Sequence, residues 1–200
     1  ARVTARRSEQ ERQMVIGRLE PGQAQQTDLK SACYIGLEEA TTALEESFHD
    51  LTDEQISRQV FPDRHNICTL VMHCLHNLDV YACRFQGGAT CLAHDEQFDV
   101  WHHSPAELAE TQHDLPGVEE ILRQLRRLRQ AILYAIERAS EAELRGARYA
   151  ESWWTDQGRT AADAYMRTIY HTMAHVRQIW LMRGAMGLTD SDGWPEQHWA

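Results

Sequence analysis

The chain has almost no lysine. Of its 20 basic side chains, 19 are arginine and one is Lys30, and 30 acidic residues leave a net charge of −10. The arginines form no tract, so the basic stripe a nucleic-acid binder needs is missing. No apolar run approaches the roughly 20 residues of a membrane helix, and no membrane partner is expected. The basic start (Ala1-Arg2-Val3-Thr4-Ala5-Arg6-Arg7) is not followed by the apolar core of a secretory signal. Five cysteines, an odd number without C-x-x-C spacing, suit reduced thiols better than a disulfide framework. A cytoplasmic location is the expectation. Internal repeats, low-complexity tracts, Gly-rich phosphate loops, G-x-S-x-G and H-E-x-x-H are also missing.

What is present is helical patterning. At 200 residues the chain is long enough for one domain with a real core. Residues 1–22 read as an N-terminal extension. Ser8 and Glu11 could cap a short helix there, with Met14, Val15 and Leu19 as its apolar side, before Pro21-Gly22. Leu29, Cys33, Leu37, Ala40, Leu44 and Phe48 recur at three- and four-residue steps and predict a helix from about Thr27 to His49. Pro62 is expected to open a second helix over about Arg64 to Phe85, stopped by Gly87-Gly88. After the weakly periodic stretch 89–115, Val118, Ile121, Leu122, Leu125, Leu128, Ile132 and Ile136 give the cleanest stripe of all. Arg123, Arg126, Arg127 and Arg129 lie away from it and read as a solvated face. Thr160 and Asp163 predict a capping box for a fourth helix that runs to about Met186, with Gly187 beyond its end. Strand alternation is not convincing anywhere. The fold class is therefore all-α, a four-helix bundle over 23–187, with 188–200 as a tail.

Histidine is over-represented, with eleven in 200. His171 and His175 stand four apart within a helix, so they stack on one face and could share a metal. On that helix Ala162, Met166, Ile169, Met173, Val176 and Trp180 form one stripe. The histidines lie opposite, with Ala164, Thr168, Gln178, Ile179 and Met182. Two readings stay open. In one, the stripe is core and the histidines are surface residues. In the other, the histidines face a cavity walled by Ala164 and Thr168, and the stripe packs on a partner subunit, making a homodimer, or on the N-terminal segment. On the second helix, His73 lies off the apolar side, near Asn66, Leu70, His76, Asn77 and Val80. It is a candidate third ligand, or else a hydrogen-bonded boundary residue.

The segments HNICTLVMHCLHNLDVY (65–81) and YHTMAHVRQIWLMRGAMG (170–187) together resemble the DinB/YfiT-like family of metal-binding four-helix bundles. The resemblance spans about 27–187. It implies a facial three-histidine site of His73, His171 and His175, with His76 and His65 as poorer matches to the second-helix position. Gln178, Arg183 and Gly187 also stand at matching places; Arg177 replaces a frequent glycine.

Three neutral imidazoles would leave a divalent metal with open positions. Zinc or nickel is expected, with iron as the third choice. Family members include transferases and isomerases that use low-molecular-weight thiols. The resemblance thus implies a metal-dependent enzyme that activates a thiol or water for transfer to a small electrophilic substrate. Gln178 would be a hydrogen-bond partner of the ligands, and the sequence names no general base. The alternative is a non-catalytic metal-binding or stress-response interaction bundle. Competing motifs are weaker. Glu46-x-x-His49 and Glu110-x-x-His113 match a di-iron spacing, but one ends a helix and the other precedes Pro116-Gly117. Cys68 and Cys74 fall on an apolar side and read as inert buried thiols. Trp153-Trp154 could border the mouth of the site.

Overall fold

The structure, a computed structural model, describes residues 28–80, 107, 115–149 and 159–188. Expectations for 1–22, 81–106, Glu110, His113, Trp153-Trp154 and the tail from 189 onwards lie outside these residues. The described elements are α1 (Leu29–Glu46), α2 (Asp53–Ser57), α3 (Ile67–Leu78), α4 (Val118–Arg138), α5 (Glu141–Arg145), β1 (Ala147–Tyr149), β2 (Arg159–Thr160) and α6 (Ala161–Ala185). The molecule is an all-α bundle of the four long helices. The strand pair is antiparallel, with Ala147 opposite Thr160. Strands of three and two residues are too short for alternation to show in the sequence.

Each long helix starts where a side chain or neighbour accepts its free N–H groups. Asp28 caps α1 by accepting from the Ser31 N–H at 2.7 Å. The Thr160–Asp163 capping box opens α6 as expected. Gly117 has no side chain to cap α4. Instead Asp53 of α2 accepts the Val118 N–H at 2.7 Å. The start of α3 differs from expectation. Asn66 Oδ1 accepts from the Thr69 N–H and hydroxyl, both at 2.9 Å, so the helix begins at Ile67 rather than near Arg64. Pro62 is exposed and lies in the preceding turn, where the Arg64 N–H donates to Phe61 O at 3.1 Å. At the other end of the bundle, Gly187 takes φ +70° just past α6, a conformation glycine adopts without steric cost.

Helix α1 packs on α6 and α4, and α3 packs on the same two, so α1 and α3 are diagonal. Helices α1 and α6 run parallel, with Gly36 meeting Ile169 and Ser47 meeting Arg183 further along both. A Cβ at Gly36 would lie 2.7 Å from Ile169 Cδ1, so a larger residue there would make that side-chain tip move. Helix α4 is antiparallel to α1. Arg129 donates to Thr41 O at 3.0 Å, and Glu45, one turn on, pairs with Arg126 and Arg129. This corrects the solvated arginine face: two of its four arginines bind α1, and Arg129 is half-buried.

The core is continuous through Leu37, Leu44, Phe48, Met72, Leu75, Ile121, Leu125, Leu128, Ile132 and Tyr165. Cys33, Cys68 and Cys74 are buried free thiols. Burial pushes Cys33 up to about 11 and Cys68 up to about 12, and raises Cys74 as well, so all three stay protonated.

The first expected arrangement of α6, with the Met/Trp stripe as core, is not the observed one; the face shared with the histidines is buried at Ala164, Thr168, Ile179 and Met182. The buried arc runs through Ala161, Tyr165, Thr168, Thr172, Val176 and Ile179. Met166 is exposed, and Ile169, Met173 and Trp180 are only half-buried. Small and hydroxyl side chains hold the core side because α1 and α3 both press on it. Ala164 and Thr168 are fully buried. The histidines flank this arc and are half-buried.

Candidate metal centre

The site grows from two helices. Within α6, residues four apart lie one above the other, which places the His171 and His175 rings with centroids 4.5 Å apart. Helix α3 is buried on nearly all sides, with only His76 half-exposed. It delivers His73, itself 7% exposed, against this pair. The boundary reading of His73 is therefore corrected: the half-polar face it shares with Asn66, Leu70 and Asn77 is buried.

The three rings meet at steep angles, with His73 centred 4.5 Å from His171 at 67° and 5.0 Å from His175 at 86°. Their facing nitrogens are close. Nε2 of His171 lies 2.7 Å from that of His73 and 3.3 Å from that of His175. One ligand atom from each of the three falls within 4.8 Å of the others. Imidazoles at about 2.0–2.1 Å around a tetrahedral ion would hold their nitrogens about 3.3 Å apart. The spacing is thus near that of a loaded facial site.

Electrostatics keep these rings neutral. Burial pushes His73 down to about 3, helped by the neighbouring His171 and His175. Burial, then His175 and Arg167, push His171 down to about 4. His175 is also lowered by burial, against a hydrogen bond to Gln178 that works the other way. Neutral imidazole is the form that ligates a metal. His175 Nδ1 donates to Gln178 Oε1 at 2.7 Å. With the proton there, its Nε2 lone pair faces the other two rings.

A cation suits this donor set. Three lone pairs converge, and neutral rings can place few protons between them. His171 Nδ1 is buried without a hydrogen-bond partner among the described residues. The poorer second-helix matches separate clearly. His76 and His65 stand outside the close group, though both lie within electrostatic reach of His73. Glu46 and His49 are exposed at the end of α1, so that Glu-x-x-His spacing does not face the bundle interior.

The model of the DinB superfamily matches residues 36–179. The chain belongs to the DinB superfamily. The match contains His73, His171, His175 and Gln178, and superfamily members are known as metal-binding bundles. A crystal structure of a conserved protein from Enterococcus faecalis has a similar fold. It is 14% identical with a TM-score of 0.64, over 79% of this chain and 96% of that one. No curated protein matches the chain. In this DinB protein, as in its sequence, no described helix is long and apolar enough to cross a membrane.

Sequence reasoning missed two polar features of this bundle. Arg183 matched a family position without a role. It is 5% exposed, donates to Asp50 Oδ1 and Oδ2 at 2.5 and 2.8 Å and to Ser47 O at 3.2 Å, and lies over the Trp180 ring. It ties α6 to the end of α1, about two turns beyond His175 on the same helix. The other is the position of His65. Asn66 as a helix cap was the signal that His65 sits on a turn and not within α3.

Proposed function

We propose that this DinB protein is a metal-dependent enzyme in which His73, His171 and His175 hold zinc or nickel, with iron as the third choice. The reading is supported above all by the three neutral Nε2 atoms converging from α3 and α6. Such a metal supplies Lewis acidity, lowering the pKa of a thiol or water bound in its remaining positions. His73, the most buried of the three, anchors the site to the core. His171 and His175 complete one face. Gln178 fixes the protonation of His175 Nδ1 and so keeps its Nε2 free to ligate. The substrate class is a small electrophile that accepts a thiol, or water, as nucleophile. A low-molecular-weight thiol is the favoured co-substrate.

Metal content of the purified, untagged protein tests the site, and thiol conjugation of monochlorobimane tests the chemistry. Stoichiometric metal and metal-dependent conjugation are expected. Metal retained after substitution of all three histidines would remove the site. Conjugation that ignores a chelator would remove the chemistry.

A further inference from the structure

We propose that Thr168 and Asn77 are positioning residues of the three-histidine site, joined to it in one hydrogen-bond chain: His171 Nδ1–H donates to Thr168 Oγ1, and the Thr168 hydroxyl donates to Asn77 Oδ1. The chain rests on the proposed metal site and holds one of its ligands in the ligating form.

His171 Nδ1, Thr168 Oγ1 and Asn77 Oδ1 are all buried, and each lacks a hydrogen-bond partner among the described residues. Thr168 is fully buried and Asn77 is 7% exposed. A buried polar atom is costly to leave unpaired, so three of them in one region call for partners. Thr41 shows how a threonine inside a helix usually settles this, donating to Leu37 O at 2.7 Å one turn back. Thr168 makes no such bond. Donors and acceptors match along the chain. An imidazole that ligates through Nε2 carries its proton on Nδ1, a hydroxyl both accepts and donates, and an amide oxygen accepts.

Helical geometry selects Thr168. Side chains on a helix lean toward its start, so the His171 ring lies over the residues three and four earlier, Thr168 and Arg167. A guanidinium only donates. One turn onward stand Ala174, which has no polar side-chain atom, and His175, whose Nδ1 is bound to Gln178. Thr172 points about 100° further round the helix. Thr168 therefore stands to His171 as Gln178 stands to His175, three residues away on the same helix.

The packing of α3 brings in Asn77. Cys68 Sγ lies 3.7 Å from Pro116 O, so α3 and α4 start at the same end of the bundle and run the same way. Since α4 opposes α1 and α6 follows α1, α3 runs against α6. His73 and His171 meet across these two helices. One turn onward along α3 is Asn77, on the face of His73, and one turn back along α6 is Thr168. Opposed directions set them at the same level. The facing nitrogens of His73 and His171 are now 2.7 Å apart, against about 3.3 Å around a tetrahedral ion. The chain closes in the loaded site, as that gap opens and the His171 ring draws back toward α6.

The test uses the full chain with zinc as the probe. Wild type, Thr168→Val, Thr168→Ser and Asn77→Leu are compared by chelator competition, by urea unfolding without metal, and by nitrogen-15 NMR of the histidine rings with zinc bound. Thr168→Val should weaken zinc binding about tenfold, and Asn77→Leu should weaken it by less. Thr168→Ser should keep the affinity of wild type. Without metal, Thr168→Val should be as stable as wild type, because the hydroxyl it removes has no partner there. Zinc-loaded wild type and Thr168→Ser should show His171 protonated on Nδ1, with that proton slow to exchange with water; in Thr168→Val it should exchange fast. Unchanged zinc affinity in Thr168→Val or Asn77→Leu would overturn the proposal, as would a fast-exchanging His171 Nδ1 proton in wild type. So would a loss of metal-free stability in Thr168→Val that accounts for its weaker binding, which would make the hydroxyl merely structural. Wild type that takes up no zinc, nickel or iron overturns the proposed function itself, and the first titration shows it.

Discussion

Helix α6 carries two buried polar groupings, and they are built on opposite rules. Near its end, Arg183 meets Asp50, Ser47 O and the Trp180 ring, so a cation faces an anion, a carbonyl dipole and a π-face. Two turns earlier, His171 and His175 meet His73, and like faces like. The first grouping pairs a cation with its anion, leaving only Arg183 Nε without a partner among the described residues. The second lowers the protonation of its own members and improves if a cation enters. Complementary pairing marks a structural tie, whereas convergent donors mark a place for something else.

The largest expected effect is on metal. His73→Ala, His171→Ala or His175→Ala should each abolish stoichiometric metal in elemental analysis of the purified protein, while Arg183→Ala should leave it unchanged. Metal that follows Arg183 instead would erase the distinction. Next comes the tie. Arg183→Ala should destabilise the fold by about 2–3 kcal/mol in urea unfolding, through lost packing and lost hydrogen bonds. Arg183→Met, which keeps the apolar stem, should cost about half as much. Asp50 is half-exposed and can regain water, which holds the effect below that of breaking a fully buried pair.

Gln178→Leu should weaken metal binding about tenfold, read by competition with a chelator, because His175 loses the acceptor that fixes its tautomer. Unchanged affinity would make that hydrogen bond incidental. The smallest effect over any single pH unit is on acid stability. In the metal-free protein His73 and His171 resist protonation when folded but titrate near 6.5 when unfolded. The unfolded chain then binds more protons, so stability should fall as pH drops from 6.5 toward 4, and His73→Leu should flatten that fall. Asp50 works lower down. Its hydrogen bonds from Arg183 hold its carboxyl below 3.8. That contribution is full above 3.8 and is lost as pH falls through the lowered value. Urea midpoints across pH separate the two windows; a flat profile between 6.5 and 4 would contradict the histidine part.

Particular residues show where legibility ended. The stripe from Val118 to Ile136 was readable because one face of α4 is buried and the other wet. Helix α6 left two readings open because it is pressed from two sides by α1 and α3. Its buried arc is made of Ala161, Tyr165, Thr168 and Thr172, residues that carry little hydropathic signal. Arg126 and Arg129 looked solvated because their partner, Glu45, is on another helix. Asp53 could not be foreseen as the cap of α4, being 65 residues away from Val118.

By itself the sequence determined the helical class, the capping box of α6 and the stacking of His171 on His175. Each depends on residues within a turn or two, where helical geometry alone sets the distance. Only the tertiary structure decided that His73 completes the group while His76 stays outside it, and that Arg183 is a tie. Those relations join residues from different helices. They depend on how closely α3 and α1 approach α6, and packing sets that approach.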